Sequence, residues 1–377
     1  MFVMIDRSIS DLIEKDFSKG KILLLMGPRQ VGKTTLFEHL AEKSSEVLKL
    51  NCDNYDIRTL LEEKTSTELK ELIGNNKIVF IDEAQKVHNI GQALKMMADI
   101  KADVNILVTG SSSLDLANEI NEPATGRIWE YRLFPMSIQE LNNHTSKLEE
   151  SRLLKQRLIM GMYPEVVTKP SEAKKILINL TNNYLYKDIL EYKGLRKPAL
   201  LQNLVRALAL QIGSEVSYNE LATMLGANKE TIETYIDLLE KCFVIFKISS
   251  YSRNLRNEIK KGKKIYFYDN GVRNAVINNF APIELRKDVG QLWENFIIAE
   301  KIKRNAYTDN YVNMFFWRTH EQQEIDLIEE QDGILHAYEF KWNPKRESRL
   351  PKIFVETYPD YTFAQIDNTN YLDFISY

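Results

Sequence analysis

The sequence lacks several features that define other classes of protein. It contains only two cysteines, Cys52 and Cys242, in unrelated surroundings, which gives neither a zinc-binding pattern nor a disulfide framework. No apolar run is long enough to span a bilayer. The N-terminal segment has Asp6 and Asp11 where a secretory signal needs basic and then apolar residues. We therefore expect a cytoplasmic protein that does not bind membranes.

An excess of positive charge is also missing. The net charge is −3, with 44% hydrophobic and 27% charged residues, as is ordinary for a folded globular chain. Any contact with nucleic acid must therefore come from a local basic patch. The length of 377 residues exceeds one typical hydrophobic core, so we expect two to four domains.

A glycine-rich loop between a strand and a helix is the strongest motif in the chain. Residues 21–26 form an apolar run, and residues 27–34 then match G-x-x-x-x-G-K-[ST] at every fixed position before helical spacing begins. In such a P-loop the backbone N–H groups turn toward phosphates, the lysine reaches the β- and γ-phosphates, and the hydroxyl binds Mg²⁺. The predicted nucleotide-binding residues of the loop are Gly27, Pro28, Arg29, Gln30, Val31, Gly32, Lys33, Thr34 and Thr35.

A second apolar strand ends in two carboxylates, Asp82 and Glu83. We expect Asp82 to join Thr34 as a Mg²⁺ ligand and Glu83 to act as the general base that polarises the attacking water. An isolated Asp-Glu pair could simply cap a strand end. About 50 residues after the P-loop lysine, however, it indicates a site for hydrolysing a nucleoside triphosphate.

A third strand ends in hydroxyl side chains, at the edge where a parallel sheet places its ligands. Thr109 or Ser111 could contact the γ-phosphate, whereas Ser112 or Ser113 could instead cap a following helix. Next along the chain is Arg127, which could reach the γ-phosphate of a neighbouring subunit as an arginine finger. The alternative is an ordinary surface arginine paired with a carboxylate. The first interpretation implies a homo-oligomer.

These motifs together resemble one family of ATPases. The segments GPRQVGKTT, IVFIDEAQ, ILVTGSSS, TGR, LFPMS and GMYPEVV are similar to those of AAA-type P-loop ATPases that carry a C-terminal DUF4143 domain, and the resemblance covers essentially the whole chain. It implies ATP and Mg²⁺ as ligands and a helical lid. The guanine signal N-K-x-D is absent, which agrees with ATP. GMYPEVV contains no arginine, so a lid sensor arginine is not assigned, although Arg152 and Arg157 are nearby.

We predict an α/β fold with four parts. Residues 1–145 form the AAA-type P-loop core with a parallel sheet, and residues 146–198 form the helical lid. Residues 199–280 form a winged helix, because two helices meet at a tight turn at Gly226 and a basic hairpin follows at 253–264. Residues 281–377 form a small α/β domain.

The winged helix has two interpretations. Asn228, Lys229 and Thr231 could face DNA while the basic wing follows the backbone. Alternatively the segment is a packing module with a solvated hairpin. The second helix carries acidic residues, which argues against deep insertion into a groove; these are Glu230, Glu233, Asp237 and Glu240.

The C-terminal part resembles the PD-(D/E)xK nuclease fold. A helix with Glu294 precedes three strands, of which the last two are joined by a turn at Asp332-Gly333. Asp326 and Glu339 could share a second divalent metal ion with Glu294, while Lys341 activates water. In the alternative, Lys341 pairs directly with a carboxylate and the site no longer cleaves. We expect either an ATPase linked to DNA binding or processing, or an ATP-dependent switch or assembly protein with an inactive nuclease-like domain.

Overall fold

The chain divides into two compact units, one built around residues up to Met136 and the other around residues from Ser137 onward. The computed structural model describes residues 4–100, 103–110, 126–184, 197–252 and 262–377. The predictions made for Ser111, for Ser112 and Ser113, and for the wing residues 253–261 fall outside these ranges. Among the described residues, no helix combines the length and the apolar character that crossing a bilayer would require.

The first unit contains a five-stranded parallel sheet in the order β2-β3-β4-β1-β5. Its strands are β1 Ile22–Met26, β2 Val47–Asn51, β3 Ile78–Asp82, β4 Asn105–Gly110 and β5 Ile128–Arg132. Strands β1 and β3 are buried along their whole length, which explains why they read as continuous apolar runs rather than as alternating patterns. The P-loop, Asp82 and Thr109 follow or end neighbouring strands and therefore meet at one edge of the sheet.

The first unit also contains several helices. They are α1 Ile9–Lys15, α2 Lys33–Ala41, α3 Tyr55–Leu61, α4 Ser66–Ile73 and α5 Ile90–Ile100, with a 3₁₀ turn at Ala84–Lys86. Helix α4 begins with a capping box in which Thr65 and Glu68 satisfy each other's backbone N–H groups.

The second unit has its own sheet of seven strands, in the order β12-β11-β10-β9-β7-β8-β6. The strands are β6 Glu215–Val216, β7 Ile245–Ser250, β8 Lys263–Phe267, β9 Asn313–Arg318, β10 Glu324–Gln331, β11 Ile334–Phe340 and β12 Tyr361–Ile366. The predicted turn between β10 and β11 is confirmed, with positive φ at both Asp332 and Gly333. Strands from the segments predicted as winged helix and as C-terminal domain thus share one sheet, because β7 pairs with β9 in parallel.

Helices account for most of the remaining second unit. They are α6 Ile138–His144, α7 Lys147–Met160, α8 Pro164–Thr168, α9 Ala173–Asn179, α10 Pro198–Leu210, α11 Tyr218–Leu225, α12 Lys229–Lys241, α13 Asn270–Val276, α14 Val289–Tyr307, α15 Lys352–Thr357 and α16 Tyr371–Ile375. Short 3₁₀ or π turns occur at Pro170–Glu172, Leu180–Tyr184 and Ile283–Leu285. The described helices of the segment predicted as a lid therefore lie in the second unit.

The GMYPEVV motif packs against a loop in the second unit. Gly161 has φ +68°, and a Cβ there would lie 2.0 Å from Oδ1 of Asp269. The next backbone N–H, of Met162, donates to Oδ2 of Asp269 at 2.7 Å. Nearby, Arg157 is buried and pairs with Glu150 at 2.9 Å. The motif therefore has a clear packing role, and Arg157 is held by a buried carboxylate.

Candidate nucleotide site and a C-terminal charge cluster

The P-loop takes a conformation that its residue types allow. The chain turns through positive φ at Gln30 and Gly32 before α2 begins at Lys33. A Cβ at Gly27 would lie 2.1 Å from the carbonyl oxygen of Leu133, so only glycine permits this close approach of two backbones. The loop therefore opens toward the N-terminus of α2, where backbone N–H groups and the helix dipole favour an anion.

Lys33 is held inside this loop. Its side chain is buried, and Nζ donates to the carbonyl oxygens of Gly27 at 2.8 Å and Pro28 at 2.9 Å. Both of these acceptors are neutral backbone carbonyl oxygens of the loop. A phosphate group, which carries negative charge and strong acceptors, fits this position.

Arg7 also contacts the loop, although no motif predicts it. Its Nη1 donates to the carbonyl oxygen of Val31 and its Nη2 to that of Phe134, each at 2.7 Å. The guanidinium thus connects the P-loop to the segment after β5. A single arginine before α1 carries no periodic signal, so sequence reasoning could not have assigned it this role.

Thr34 and Asp82 lie close enough to share one ion. The Thr34 hydroxyl is 3.1 Å from both carboxylate oxygens of Asp82, and Asp82 is buried at the end of β3. Mg²⁺ prefers oxygen ligands from a few protein groups and keeps its remaining positions for water and phosphate. The hydroxyl and carboxylate therefore fit the ion that the sequence predicts.

Thr109 connects the two acidic residues of the site. Its buried hydroxyl donates to Asp82 and accepts a hydrogen bond from the backbone N–H of Glu83 at 3.0 Å. Glu83 adopts φ +54°, and its carboxylate accepts a hydrogen bond from Gln85. The structure thus brings Lys33 and Thr34 together with these residues at one sheet edge.

Arg127 lies at a different place. It immediately precedes β5, and its carbonyl accepts from the N–H of Ile22 at the start of β1. This is the edge opposite the P-loop, since the strands are parallel. Its guanidinium makes two hydrogen bonds to Asp99, at 2.7 and 3.3 Å. Arg127 therefore does not reach the nucleotide site of its own chain.

The four residues predicted for the C-terminal site do come together. Lys341 Nζ lies 2.7 Å from Glu339 and 3.7 Å from Asp326, and Asp326 also accepts the backbone N–H of Phe340 at 2.8 Å. Burial lowers the pKa of Lys341, but the carboxylates of Asp326, Glu339 and, on α14, Glu294 outweigh this effect and raise it. The direct lysine–carboxylate pairing is thus present.

Three further residues, which the sequence motif did not identify, complete this cluster. Lys264 Nζ, on β8, lies 3.1 Å from Glu294 and donates to Glu324. The hydroxyl of Tyr266 donates to the same oxygen of Glu294 at 2.6 Å. The alternation of β8 places Lys264 and Tyr266 on one face. We call these seven residues the charge cluster: Lys264, Tyr266, Glu294, Glu324, Asp326, Glu339 and Lys341.

Burial dominates the electrostatics of the charge cluster. It raises the pKa of Glu294 to about 7, with Lys264 opposing and Asp326 adding to the shift. Burial and the charge of Asp326 likewise raise the pKa of Glu339 to about 7. Within the described part of the chain, no group of three or more histidine, cysteine, aspartate or glutamate side chains is arranged to hold a metal ion.

The parallel sheet, P-loop and acidic strand end define the first unit as a P-loop nucleoside-triphosphatase fold. The solved structure of the Walker-type ATPase paby2304 of Pyrococcus abyssi shares this fold, with a TM-score of 0.51 and 15% identity, covering 73% of this chain and 96% of that one. Residues 19–142 match the family model of the AAA domain, and residues 289–370 match the domain of unknown function DUF4143. The chain therefore carries a segment similar to the AAA domain, with a P-loop fold, and a C-terminal segment similar to DUF4143.

Other comparisons extend along most of the chain. Residues 151–282 match a second domain of unknown function, DUF8612. The uncharacterized protein Rv2008c of Mycobacterium tuberculosis is 25% identical over 89% of this chain and 73% of its own length. The uncharacterized protein MJ1544 of Methanocaldococcus jannaschii is 24% identical over 97% of this chain and 84% of its own length. Sequence similarity to one bacterial and one archaeal protein therefore extends over most of this chain.

Proposed function

We propose that the first unit binds ATP with Mg²⁺ and hydrolyses it, and that the nucleotide state drives a conformational change. The observation that carries this proposal is the Thr34–Asp82 pair, 3.1 Å apart beside the buried Lys33. A P-loop that only bound an anion would not need a carboxylate at hydrogen-bond distance from the loop hydroxyl.

Each residue of the site has a proposed role. Lys33 and the loop N–H groups hold the β- and γ-phosphates, and Thr34 with Asp82 would hold Mg²⁺, which neutralises phosphate charge when bound. Glu83 accepts the proton of the attacking water. Thr109 fixes Asp82 and the backbone of Glu83 relative to each other through its two hydrogen bonds.

The test is ATP binding and hydrolysis by Lys33→Ala. Binding should weaken by a factor on the order of 10², as expected when a charged hydrogen-bonding group is lost from a phosphate site. Lys43→Ala is the matched control, because Lys43 is an exposed lysine that pairs with Glu14 just after the same helix. Binding by Lys33→Ala at the wild-type affinity would refute the proposal.

We also propose that hydrolysis takes place in a homo-oligomer with Arg127 acting between subunits. Arg127 lies at the sheet edge opposite the P-loop of its own chain, so any contact it makes with a γ-phosphate would have to be in another subunit. The exposed fraction of its side chain is 36%, which leaves the guanidinium accessible to a neighbouring subunit. The pair with Asp99 is a surface ion pair, which a nucleotide of the neighbouring subunit could replace at little cost.

For the second unit we propose DNA binding through a winged helix. The order α10, β6, α11, α12, β7, β8 and the pairing of β8 with both β6 and β7 support that assignment. A cleft of about 710 Å³ lies beside the start of α12, and its walls include the cations Lys229, Lys263 and Arg318 together with the carboxylates Glu215 and Glu233. Arg318 pairs with Glu215 and Glu324, so Lys229 and Lys263 are the main candidates for phosphate contact. These cations are suited to phosphate groups of a DNA backbone.

Two observations favour backbone contact over base reading. Asn228 uses its side-chain carbonyl to cap α12, where it accepts the N–H of Thr231 at 2.8 Å, so the cap competes with base contacts. The acidic residues Asp237 and Glu240 of the same helix pair with Lys247, each at 2.6 Å. Neither the amide oxygen of Asn228 nor the carboxylates of Asp237 and Glu240 are therefore free to accept a hydrogen bond from a base edge.

The test of this second proposal is the salt dependence of DNA affinity. Each lost phosphate contact lowers the slope of log K against log salt by about 0.9, so the double variant Lys229→Ala, Lys263→Ala should lower it by about 2. Lys155→Ala, an exposed lysine paired with Glu284, is the control. An unchanged slope in the double variant would rule out this cleft as the DNA surface.

For the DUF4143 domain the contacts favour a binding role. Lys341 forms ion pairs with Glu339 and Asp326, and Lys264 forms ion pairs with Glu294 and Glu324. We therefore favour an ATP-dependent switch whose C-terminal domain does not cleave. Cleavage by Asp326, Glu339 and Lys341 stays a prediction from the motif alone, and an assay for it follows in the Discussion.

A further inference from the structure

Lys264 is one of the most deeply buried charges of the described residues. Its side chain is 1% exposed, and it lies at the second residue of β8, outside the segment that matches DUF4143. The carboxylates that surround it, Glu294 and Glu324, lie 30 and 60 residues further along the chain. A lysine reaches such a place only when its charge is compensated by specific partners.

The partners compensate it fully. Glu294 accepts from Lys264 at 3.1 Å, and Glu324 accepts from Lys264 while it also pairs with Arg318 at 3.4 Å. Asp326 is close enough to add to the field at Lys264. The ammonium therefore lies among three carboxylates that belong to α14 and β10.

The rest of the charge cluster is compensated in the same way. Lys341 pairs with Glu339 and lies 3.7 Å from Asp326. Four carboxylates thus face two buried or half-buried lysines, one arginine and the hydroxyl of Tyr266. A divalent cation would have to displace these donors from oxygens that they already occupy, and it would meet the repulsion of the Lys264 ammonium.

We propose that Lys264 occupies the cation position of the charge cluster, so that this site takes an internal ammonium in place of a divalent metal ion. The donor set is oxygen-rich and would otherwise suit Mg²⁺ or Mn²⁺. The carboxylates alone would therefore suit a metal ion, but the site as a whole does not. The reason is Lys264, which belongs to the neighbouring segment and reaches the site because the two segments share one sheet. This inference does not depend on ATP hydrolysis by the first unit.

The experiment measures Mn²⁺ binding by electron paramagnetic resonance, without nucleotide, on the full chain carrying Asp82→Asn. That change removes the carboxylate of the nucleotide site and leaves the charge cluster intact. The Asp82→Asn protein, which is the parent for the other variants, should bind no Mn²⁺ at concentrations up to about 1 mM. Weak protein sites for divalent ions have dissociation constants of about this size. Adding Lys264→Met should create one bound Mn²⁺ per chain that raises the melting temperature of the variant.

Lys263→Met is the matched control, because it removes the adjacent lysine of the same strand, whose side chain points to the other face. It should bind no Mn²⁺. A parent that binds Mn²⁺ in a manner abolished by Asp326→Asn would overturn the proposal, and this measurement needs no change at Lys264. A folded Lys264→Met variant that binds no Mn²⁺ would overturn it as well.

Discussion

The hydroxyl of Thr109 accepts a hydrogen bond from the backbone N–H of Glu83 at 3.0 Å. It also donates to Asp82, so the end of β4 fixes the acidic end of β3. The proposed metal ligand and the proposed general base are therefore held by one buried side chain. Small displacements of either residue should be costly, because catalysis depends on accurate placement of groups.

Thr109→Val tests this connection. Valine keeps the shape of threonine but leaves the N–H of Glu83 without its acceptor, which costs about 1–3 kcal/mol. We expect ATP turnover to fall by roughly 10-fold or more while ATP binding changes little. Thr109→Ser restores the hydroxyl and should recover most of the rate. Wild-type turnover in a folded Thr109→Val variant would show that the connection has no role in hydrolysis.

Comparing Arg127→Ala with Asp99→Ala shows whether Arg127 acts as an arginine finger or only forms a structural ion pair. An arginine finger contributes roughly 10³–10⁵ in rate, so this variant should bind ATP normally and hydrolyse it poorly. Asp99→Ala removes the same ion pair but keeps the guanidinium, and a surface pair contributes only about 0–1 kcal/mol. It should therefore hydrolyse ATP normally. Equal losses in the two variants would identify the pair as structural.

A mixing experiment shows whether Arg127 acts in trans. Arg127→Ala chains keep an intact nucleotide site, and Lys33→Ala chains keep Arg127. Mixed oligomers should regain part of the activity that both variants lack alone. A monomeric protein with full turnover would contradict shared sites.

Gly161→Ala tests the packing role of the GMYPEVV motif. A Cβ at Gly161 would enter the space of Asp269, at a backbone φ of +68° that L residues rarely adopt. We expect the free energy of unfolding to fall by about 3 kcal/mol or more. Gly290→Ala is the control, since nothing lies within 4 Å of a Cβ there, and it should change stability by at most about 1 kcal/mol. Thermal or denaturant unfolding of both variants provides the measurement.

Nuclease assays address the DUF4143 domain. Because Lys264 and Lys341 already pair with the carboxylates of the charge cluster, we expect wild-type protein with Mn²⁺ to leave DNA and RNA uncut. The D…E-x-K motif at Asp326, Glu339 and Lys341 predicts the opposite. Cleavage that disappears in both Asp326→Ala and Lys341→Ala, with folding retained, would establish the nuclease and remove the case for a non-cleaving domain.

The nucleotide site could be proposed from the sequence because the motifs that indicate it are local. The P-loop is one continuous segment, and Asp82 directly ends an apolar strand, so spacing alone was enough to propose both, and the structure places them at one sheet edge. The contacts of Arg7 and Lys264 could not be predicted from the sequence, because each residue contacts others far along the chain that only the fold brings near. The pairing of β7 with β9 involves only two residue pairs, which leaves no detectable pattern in the sequence.

The same limit applies to the D…E-x-K motif. Period-two alternation correctly placed Glu339 near Lys341, and the helix–strand order correctly brought Glu294 toward Asp326. The motif could not reveal that Lys264 enters from another segment. A motif within one segment can therefore predict which of its residues come together without predicting which charges other segments add to them.

The most direct test of the account is steady-state hydrolysis of Mg²⁺-ATP by Glu83→Gln, with ATP binding measured on the same protein. Glutamine keeps the size of the side chain but cannot accept the proton of the attacking water. We predict that ATP binding is retained and that turnover falls by a factor on the order of 10² or more. Full turnover by folded Glu83→Gln would contradict the proposed general base and, with it, the assignment of the hydrolytic site.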